Sequence, residues 1–323
     1  MYAGRLRNQV SFMLSACNFY MPIFEEALDA YGLPLELRYL PIIESALNPS
    51  AVSRAGASGL WQFMIGTGKI YGLESNSLVD ERRDPIKATW AAARYLKEMY
   101  DIYGDWNLVI AAYNCGPGTI NKAIRRANGE TDYWKIYNYL PKETRGYVPA
   151  FIAANYVMTY YCDHNICPME TNIPASTDTV QVNKNLHFEQ IADLCNVPLD
   201  QIKSLNPQYK KQMIPGDSKP YTLRLPIDAI STFIDKQDTI YTHRADELFR
   251  NRKTVAVKDI TPATRKTTSA VAGKGNLTYY TIKSGDTLST IARKYGVTIK
   301  DIQRWNGMSS TKIAAGKRLK IYK

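Results

Sequence analysis

One carboxylate, Glu44, stands where chemistry is expected. Leu37, Leu40, Glu44 and Leu47 fall on one face at helical spacing. A carboxyl group among leucines loses solvation, which disfavours its charged form and raises its pKa. That suits a proton donor near neutral pH. The competing reading is a half-buried helical Glu paired with Arg38 or Arg54. Directly after it, the stretch 50–72 carries Gly56, Gly59, Gly66, Gly68 and Gly72 around Gln62. Glycine lets a backbone come close to a ligand. No strand precedes these glycines and the GxxxxGK[ST] spacing is absent, so they do not form a phosphate loop. The chemistry implied is proton transfer to a ligand held against a glycine-lined loop.

The elements that must position Glu44 read as helices. Arg5 to Tyr31 is helical and stops at Gly32. Leu35 to Leu47 is the next helix, with Pro41 marking a kink or a fresh start. Asp84-Pro85 opens a helix to Gly104, and Asp105 caps another, WNLVIAAYN. Asn114 to Gly118 breaks it, with Asn114 as a cap. TINKAIRRA, Tyr133 to Leu140, and a last helix opened by Pro141-Lys142-Glu143-Thr144 complete an all-α region through Tyr161.

After Cys167 the composition shifts, and an internal repeat appears. VQVNKNLHFEQIADLCNVPLDQIKSLNP at 180–207 aligns without a gap on YTIKSGDTLSTIARKYGVTIKDIQRWNG at 280–307. Val182 matches Ile282, Ile191-Ala192 matches Ile291-Ala292, and Asn206 matches Asn306. Each copy reads as strand, short helix, turn, short helix, turn, strand. The closing strands are expected at 222–226 and 318–322. The chain therefore divides into a helical domain at 1–167, a first module at 178–227, a largely flexible linker at 228–277 and a second module at 278–323. Within that linker 228–247 is ambiguous, whereas 250–277 is poor in large apolar residues.

The net charge of +11 belongs to the tail, because 17 of the 41 Lys and Arg but 3 of the 30 Asp and Glu lie from Leu248 onward. Without aromatics interleaved among those cations, nucleic acid is not the expected partner. No run of about 20 apolar residues is present, so no transmembrane helix is expected. Met1-Tyr2-Ala3-Gly4 does not open a signal peptide, so an exported protein would carry its leader upstream. Five cysteines give no regular framework. Cys162 and Cys167 are read as a local disulfide or free thiols. Their spacing with His164 provides three soft ligands and no second cluster, so no metal site is expected.

Glu44-Ser45, Asn48-Pro49, Ala57-Ser58-Gly59-Leu60-Trp61-Gln62 and Ala112-Tyr113-Asn114-Cys115-Gly116 together resemble the lytic murein transglycosylases. These share the fold group of goose-type lysozyme. Trp61 within GLWQF resembles the membrane-bound D-type branch. The second repeat resembles a LysM domain, a βααβ sugar-binding module. The resemblance implies a multidomain protein, with an all-α lysozyme-like catalytic domain followed by small α+β LysM modules.

It also implies cleavage of the β-1,4 bond between N-acetylmuramic acid and N-acetylglucosamine, leaving 1,6-anhydro ends. Glu44 would be acid and then base, with no cofactor. Ser45 would orient it, Ser58 and Gln62 would line the groove wall, and the Tyr113 hydroxyl would stabilise developing charge. Glu143 and Tyr147, in KETRGYV, match a groove motif, with Glu143 contacting substrate or serving structure. In the second LysM copy Ser284, Gly285, Asp286 and Thr287 would bind glycan. The first copy has Asn183-Lys184-Asn185-Leu186 at that turn, which leaves its glycan binding open.

The implied partner is peptidoglycan, bound by a monomer in a Gram-negative cell envelope or periplasm. Peripheral or lipid anchoring to the outer membrane would come through residues preceding Met1. A lysozyme-type hydrolase on the same fold and a non-catalytic wall-binding protein are the alternatives.

Overall fold

In the computed structural model the chain forms two units, 1–261 and 262–323. The structure describes residues 2–170, 173–174, 176–249, 277–283, 286–306 and most of 308–322. The expected flexible linker from Arg250 to Asn276 lies outside the described residues.

The first unit begins with α1 (Arg7–Ala30), which carries Pro22 inside it. The helix expected over 35–47 is two pieces. A 3-10 segment, Leu35–Tyr39, is followed by α2 (Leu40–Ser45), with Pro41 in its first turn. Proline lacks an N–H but needs none at a helix start, so Pro41 begins a helix rather than kinking one. Ala46 and Leu47 both adopt positive φ and end α2 just beyond Ser45. Leu47 is therefore buried from a turn, not from the helical face that periodicity assigned it.

The helical region continues with α3 (Ile65–Ile70), α4 (Pro85–Tyr103), α5 (Trp106–Cys115), α6 (Pro117–Arg126), α7 (Tyr133–Ile136) and α8 (Lys142–Thr159). Asp84 caps α4 through the amides of Ile86 and Lys87, and Asp105 caps α5 through that of Leu108. Leu108 to Ala112 are all buried, so α5 is apolar all round. A helix of that kind belongs at the centre of a bundle. Its alanines let α4, α6 and α8 pack closely against it. Asn114 does not cap the break; its Oδ1 accepts from Thr144 Oγ1 at 2.9 Å and ties α5 to α8.

The first module comprises β1 (Thr177–Val182), β2 (Asn185–His187), α9 (Phe188–Cys195), α10 (Leu199–Leu205), β3 (Met213–Pro215) and β4 (Tyr221–Pro226). Strands β1 and β4 pair antiparallel from Thr177↔Pro226 to Val182↔Tyr221. The expected linker from 228 begins instead with α11 (Ile227–Asp235), α12 (Gln237–Thr242) and α13 (Ala245–Leu248). Ala229, Phe233, Ile240 and Tyr241 from these helices enter the module's core. The apolar positions in 229–241 pack as helix faces against α9 and β1, which is why this stretch is not extended chain.

The second unit carries β5 (Leu277–Thr281), α14 (Leu288–Tyr295), α15 (Ile299–Trp305) and β6 (Arg318–Tyr322), with β5 antiparallel to β6. The matched asparagines do one job in both copies. Asn206 bonds Ile202 O at 2.9 Å and Arg224 O at 2.8 Å, and accepts from Arg224 N at 2.8 Å. Asn306 does the same with Ile302 O at 2.8 Å, Lys320 O at 2.8 Å and Lys320 N at 2.7 Å. Each side-chain amide thus clasps its second helix to its closing strand.

The five cysteines are all free, with Cys162 and Cys167 exposed. Among the described residues no group of three or more His, Cys, Asp or Glu is placed to hold a metal, and no helix is long and apolar enough to cross a membrane.

Candidate active site

Glu44 sits on the last turn of α2, which packs against α8. Neither Arg38 nor Arg54 neutralises it. Arg38 bonds Glu25 and Tyr39 instead, and Arg54 is exposed. The side chain that reaches Glu44 is Tyr147 of α8, whose hydroxyl donates to Glu44 Oε1. The carboxyl is pushed up to about 7, first by desolvation and further by the nearby charge of Glu143. The Tyr147 hydrogen bond opposes that rise. Tyr147 and Tyr113 both have hydroxyl pKa values raised well above normal by burial and by the Glu44 charge, so both remain neutral donors. Glu143 is exposed at the start of α8.

The loop following α2 is folded back under Glu44. Ser45 does not bond the acid; its Oγ donates to Leu60 O at 2.9 Å. Tyr113 donates to Trp61 O at 2.7 Å. Its hydroxyl is thereby committed to holding the loop. Trp61 is fully buried, with its Nε1 2.9 Å from Thr89 Oγ1 and its ring edge-on to Phe24. Gln62 follows at φ 48°, a conformation that costs a non-glycine residue energy and is tolerated where the surroundings over-determine it. Its Nε2 donates to Gly59 O at 2.8 Å and reaches Ala51 O at 3.3 Å. Ser58 is fully buried and its Oγ accepts from Arg83 Nε at 3.1 Å, so it braces the loop from behind rather than facing a groove.

Sequence reasoning missed what lies beneath. Arg82 and Asp80 are 5% and 2% exposed and form a two-bond pair, Nε to Oδ1 at 2.9 Å and Nη2 to Oδ2 at 2.8 Å. Arg82 Nη1 also donates to Gly56 O at 2.8 Å and Phe63 O at 2.9 Å, the two ends of the loop. Gly59, at φ +87°, lies so close that a Cβ would sit 1.8 Å from Arg82 O. Here glycine is required both by the positive φ and by the approach.

Structure therefore brings Glu44, Tyr147, Tyr113 and Glu143 together, while Gln62, Ser45 and Ser58 make their recorded bonds within and around the loop. A cavity of about 1050 Å³ between α1, the turn after α2 and α10 contains none of these residues. In the second module Ser284 and Gly285 lie outside the described residues. Asp286 accepts from Lys283 N and Tyr280 Oη, each at 2.8 Å, and Thr287 caps α14 in a capping box with Thr290.

The stretch that holds Glu44 and its glycine-braced loop matches a known domain. Residues 21–136 match the transglycosylase SLT domain, 176–242 match the LysM-like domain of lytic transglycosylase MltD, and 280–321 match the LysM domain. The chain carries a transglycosylase SLT domain with two LysM-type modules behind it. It is 33% identical over 294 residues to membrane-bound lytic murein transglycosylase D of Escherichia coli K12, covering 90% of this chain and 60% of that protein. The chain thus spans about three fifths of that relative's length.

A second relative, the soluble lytic murein transglycosylase of the same organism, is 33% identical over 124 residues, 36% of this chain and 19% of the relative. The crystal structure of the 70 kDa soluble lytic transglycosylase from Escherichia coli aligns with a TM-score of 0.39 at 29% identity, over 44% of this chain and 24% of that one. The SLT-matched region is all-α among the described residues, and the modules behind it are α+β. The SLT match ends at Ile136, so Glu143 and Tyr147 lie beyond it.

Proposed function

We propose that the chain is a peptidoglycan lytic transglycosylase that acts through Glu44. The observation that carries this reading is a carboxyl raised to about 7 by desolvation and bonded by Tyr147. Such a group can give a proton and take one back near neutral pH. In the first step Glu44 protonates the bridging oxygen and the bond from the muramyl anomeric carbon to that oxygen breaks. The departing strand keeps the proton. The muramyl C6 hydroxyl then bonds to the anomeric carbon while its proton goes to the Glu44 carboxylate. A 1,6-anhydro ring closes, the acid is regenerated and no water is consumed. Paired-carboxylate glycosidases need a second acid at the reacting centre. Glu143 is exposed and bonds nothing at Glu44, which suits a rim position contacting substrate.

Substrate contacts are assigned to Gln62, Tyr147 and Glu143, with Tyr113, Ser45 and Ser58 holding the loop. Peptidoglycan is the substrate and the cell envelope the location. Both readings are supported by the SLT and LysM domain matches and by a relative named as membrane-bound. The deciding experiment is digestion of purified sacculi followed by muropeptide mass measurement. Products lighter by one water than reducing-end fragments are expected; reducing ends alone would make the protein a hydrolase.

The Tyr147 bond stabilises the carboxylate form. Removing a hydrogen bond to a charged group costs about 1.5–3 kcal/mol, and 1.36 kcal/mol is one pH unit. Tyr147→Phe is therefore expected to move the alkaline limb of the rate profile up by about one unit and to slow turnover about tenfold. A pH–rate series on soluble glycan strands reads both.

Residues 262–323 form a compact unit of their own. Deleting 278–323 is expected to leave turnover of soluble strands intact while weakening binding to sacculi roughly 10- to 100-fold through lost avidity. A pull-down titration with and without the deletion checks this. Unchanged sacculus affinity would remove the anchoring role.

A further inference from the structure

The first LysM-type module does more than follow the SLT domain in sequence. Leu78 and Val79, from the SLT side, are 4% and 0% exposed and belong to the module's core with Val182, Phe188 and Tyr209. Backbone bonds close the junction on both sides. Lys210 N donates to Leu78 O at 2.8 Å, Asp80 N donates to Gln208 O at 2.9 Å, and Val79 forms a β-bridge with Tyr209. Glu74, at the other end of the segment, is held by Lys219 Nζ at 2.6 Å and by the Tyr221 hydroxyl at 3.2 Å.

One residue beyond Val79 comes Asp80, which grips Arg82. Arg82 in turn holds both ends of the loop that carries Gln62. The path from module core to active-site loop is thus a few covalent bonds and one buried ion pair. Meanwhile the turn that would bind sugar in this module is occupied. Leu186 is fully buried, and Asn185 to His187 pairs with β3 of the same module. Gly216 packs so tightly there that a Cβ would sit 2.3 Å from Lys184 O.

We propose that the first LysM-type module is a positioning element for the active-site loop. It acts by holding Leu78 and Val79 in its core and so fixing the Asp80–Arg82 pair under residues 56–63. The part of this claim that concerns turnover rests on the proposed function; the part that concerns loop order does not. Coupling through such packed networks changes function by about 0.5–2 kcal/mol, or roughly 2- to 30-fold.

The test uses the full chain. The amides of Ser58, Gly59 and Gln62 are protected by bonds to Phe63 O, Ala51 O and Gly59 O, so their hydrogen exchange reports loop order. The Leu78→Ala/Val79→Ala double variant is expected to speed their exchange about tenfold and lower kcat/KM on soluble strands about tenfold. Leu78→Met, which keeps the volume, should behave as wild type. Ile240→Ala truncates the same core from α12, a helix that packs on α9 and α11. It should lower the melting temperature while leaving exchange at 58, 59 and 62 and kcat/KM within about twofold.

Should the double variant fail to fold, Lys219→Ala/Tyr221→Phe cuts the Glu74 contacts and is expected to change both readouts about threefold in the same direction. Wild-type exchange in the variants that cut the junction, or an equal effect of Ile240→Ala, would overturn the proposal. If wild type turns over no glycan, the proposed function fails, and the exchange comparison still decides this inference.

Discussion

Glu44→Gln is expected to stop glycan turnover while making the protein more stable at mildly alkaline pH. Glutamine keeps the shape and can accept the Tyr147 hydrogen bond, but it neither gives nor takes a proton. General acid–base catalysis supplies about 10²- to 10⁴-fold, and Glu44 serves in both directions, so a loss of at least about 10³-fold is expected. Stability should move the other way. Folded Glu44 titrates near 7 against 4.5 for an ordinary Glu, so the native state keeps a proton that the unfolded chain has released.

The stability tied to that proton is complete below about 4.5 and is lost as pH rises through about 7. The amide of the variant cannot ionise and escapes this loss. With partial exposure discounted, the variant should gain on the order of 2 kcal/mol at pH 8 and little at pH 4. Paired melting curves at the two pH values check the sign. A variant that melts with wild type at both would mean that Glu44 is ordinarily solvated.

Arg82→Ala should be the most damaging single change to the first unit. It leaves Asp80 as a buried carboxylate without its ion-pair partner and strips donors from Gly56 O and Phe63 O. Breaking a buried pair from one side costs about 3–5 kcal/mol. For a unit of this size that is about 10 °C or more in melting temperature. The pairing itself is tested by adding Asp80→Asn. Removing the stranded charge should recover part of the loss, so the double variant should melt above Arg82→Ala alone. If the two losses add instead, Asp80 and Arg82 are not coupled.

What could be read beforehand depended on whether a residue's role was local. Glu44 and the caps at Asp84 and Asp105 declare themselves within a few residues of chain, whereas Pro41 read equally as a kink or a restart until the 3-10 segment before it was seen. Asn206 and Asn306 were legible because the repeat sets them side by side, and both turn out to make one clasp. Tyr147 came into view through its motif, although its bond to Glu44 spans 103 residues. Asp80 to Arg83 was not legible. A run of four charged residues has no apolar period to mark Asp80, Glu81 and Arg82 as buried, and Arg82 is covered by the 56–63 loop, some 20 residues earlier in the chain. The Ser45 and Ser58 hydroxyls carried the right residue type for sugar contact, yet backbone carbonyls and Arg83 claim them, and only tertiary packing decides that. The helices after 226 were lost because a short amphipathic stretch next to a low-complexity region looks like its continuation.

Leu78 and Val79 make the two repeats unequal in the kinds of rearrangement each can survive. A copy like the second, whose described core draws only on its own residues, can be gained, dropped or multiplied without opening the core of the first. A crossover placed just before Thr177 would remove the shell around two aliphatic side chains and leave them facing water. The two copies share one pattern, but among the described residues only the second has a core that closes on itself.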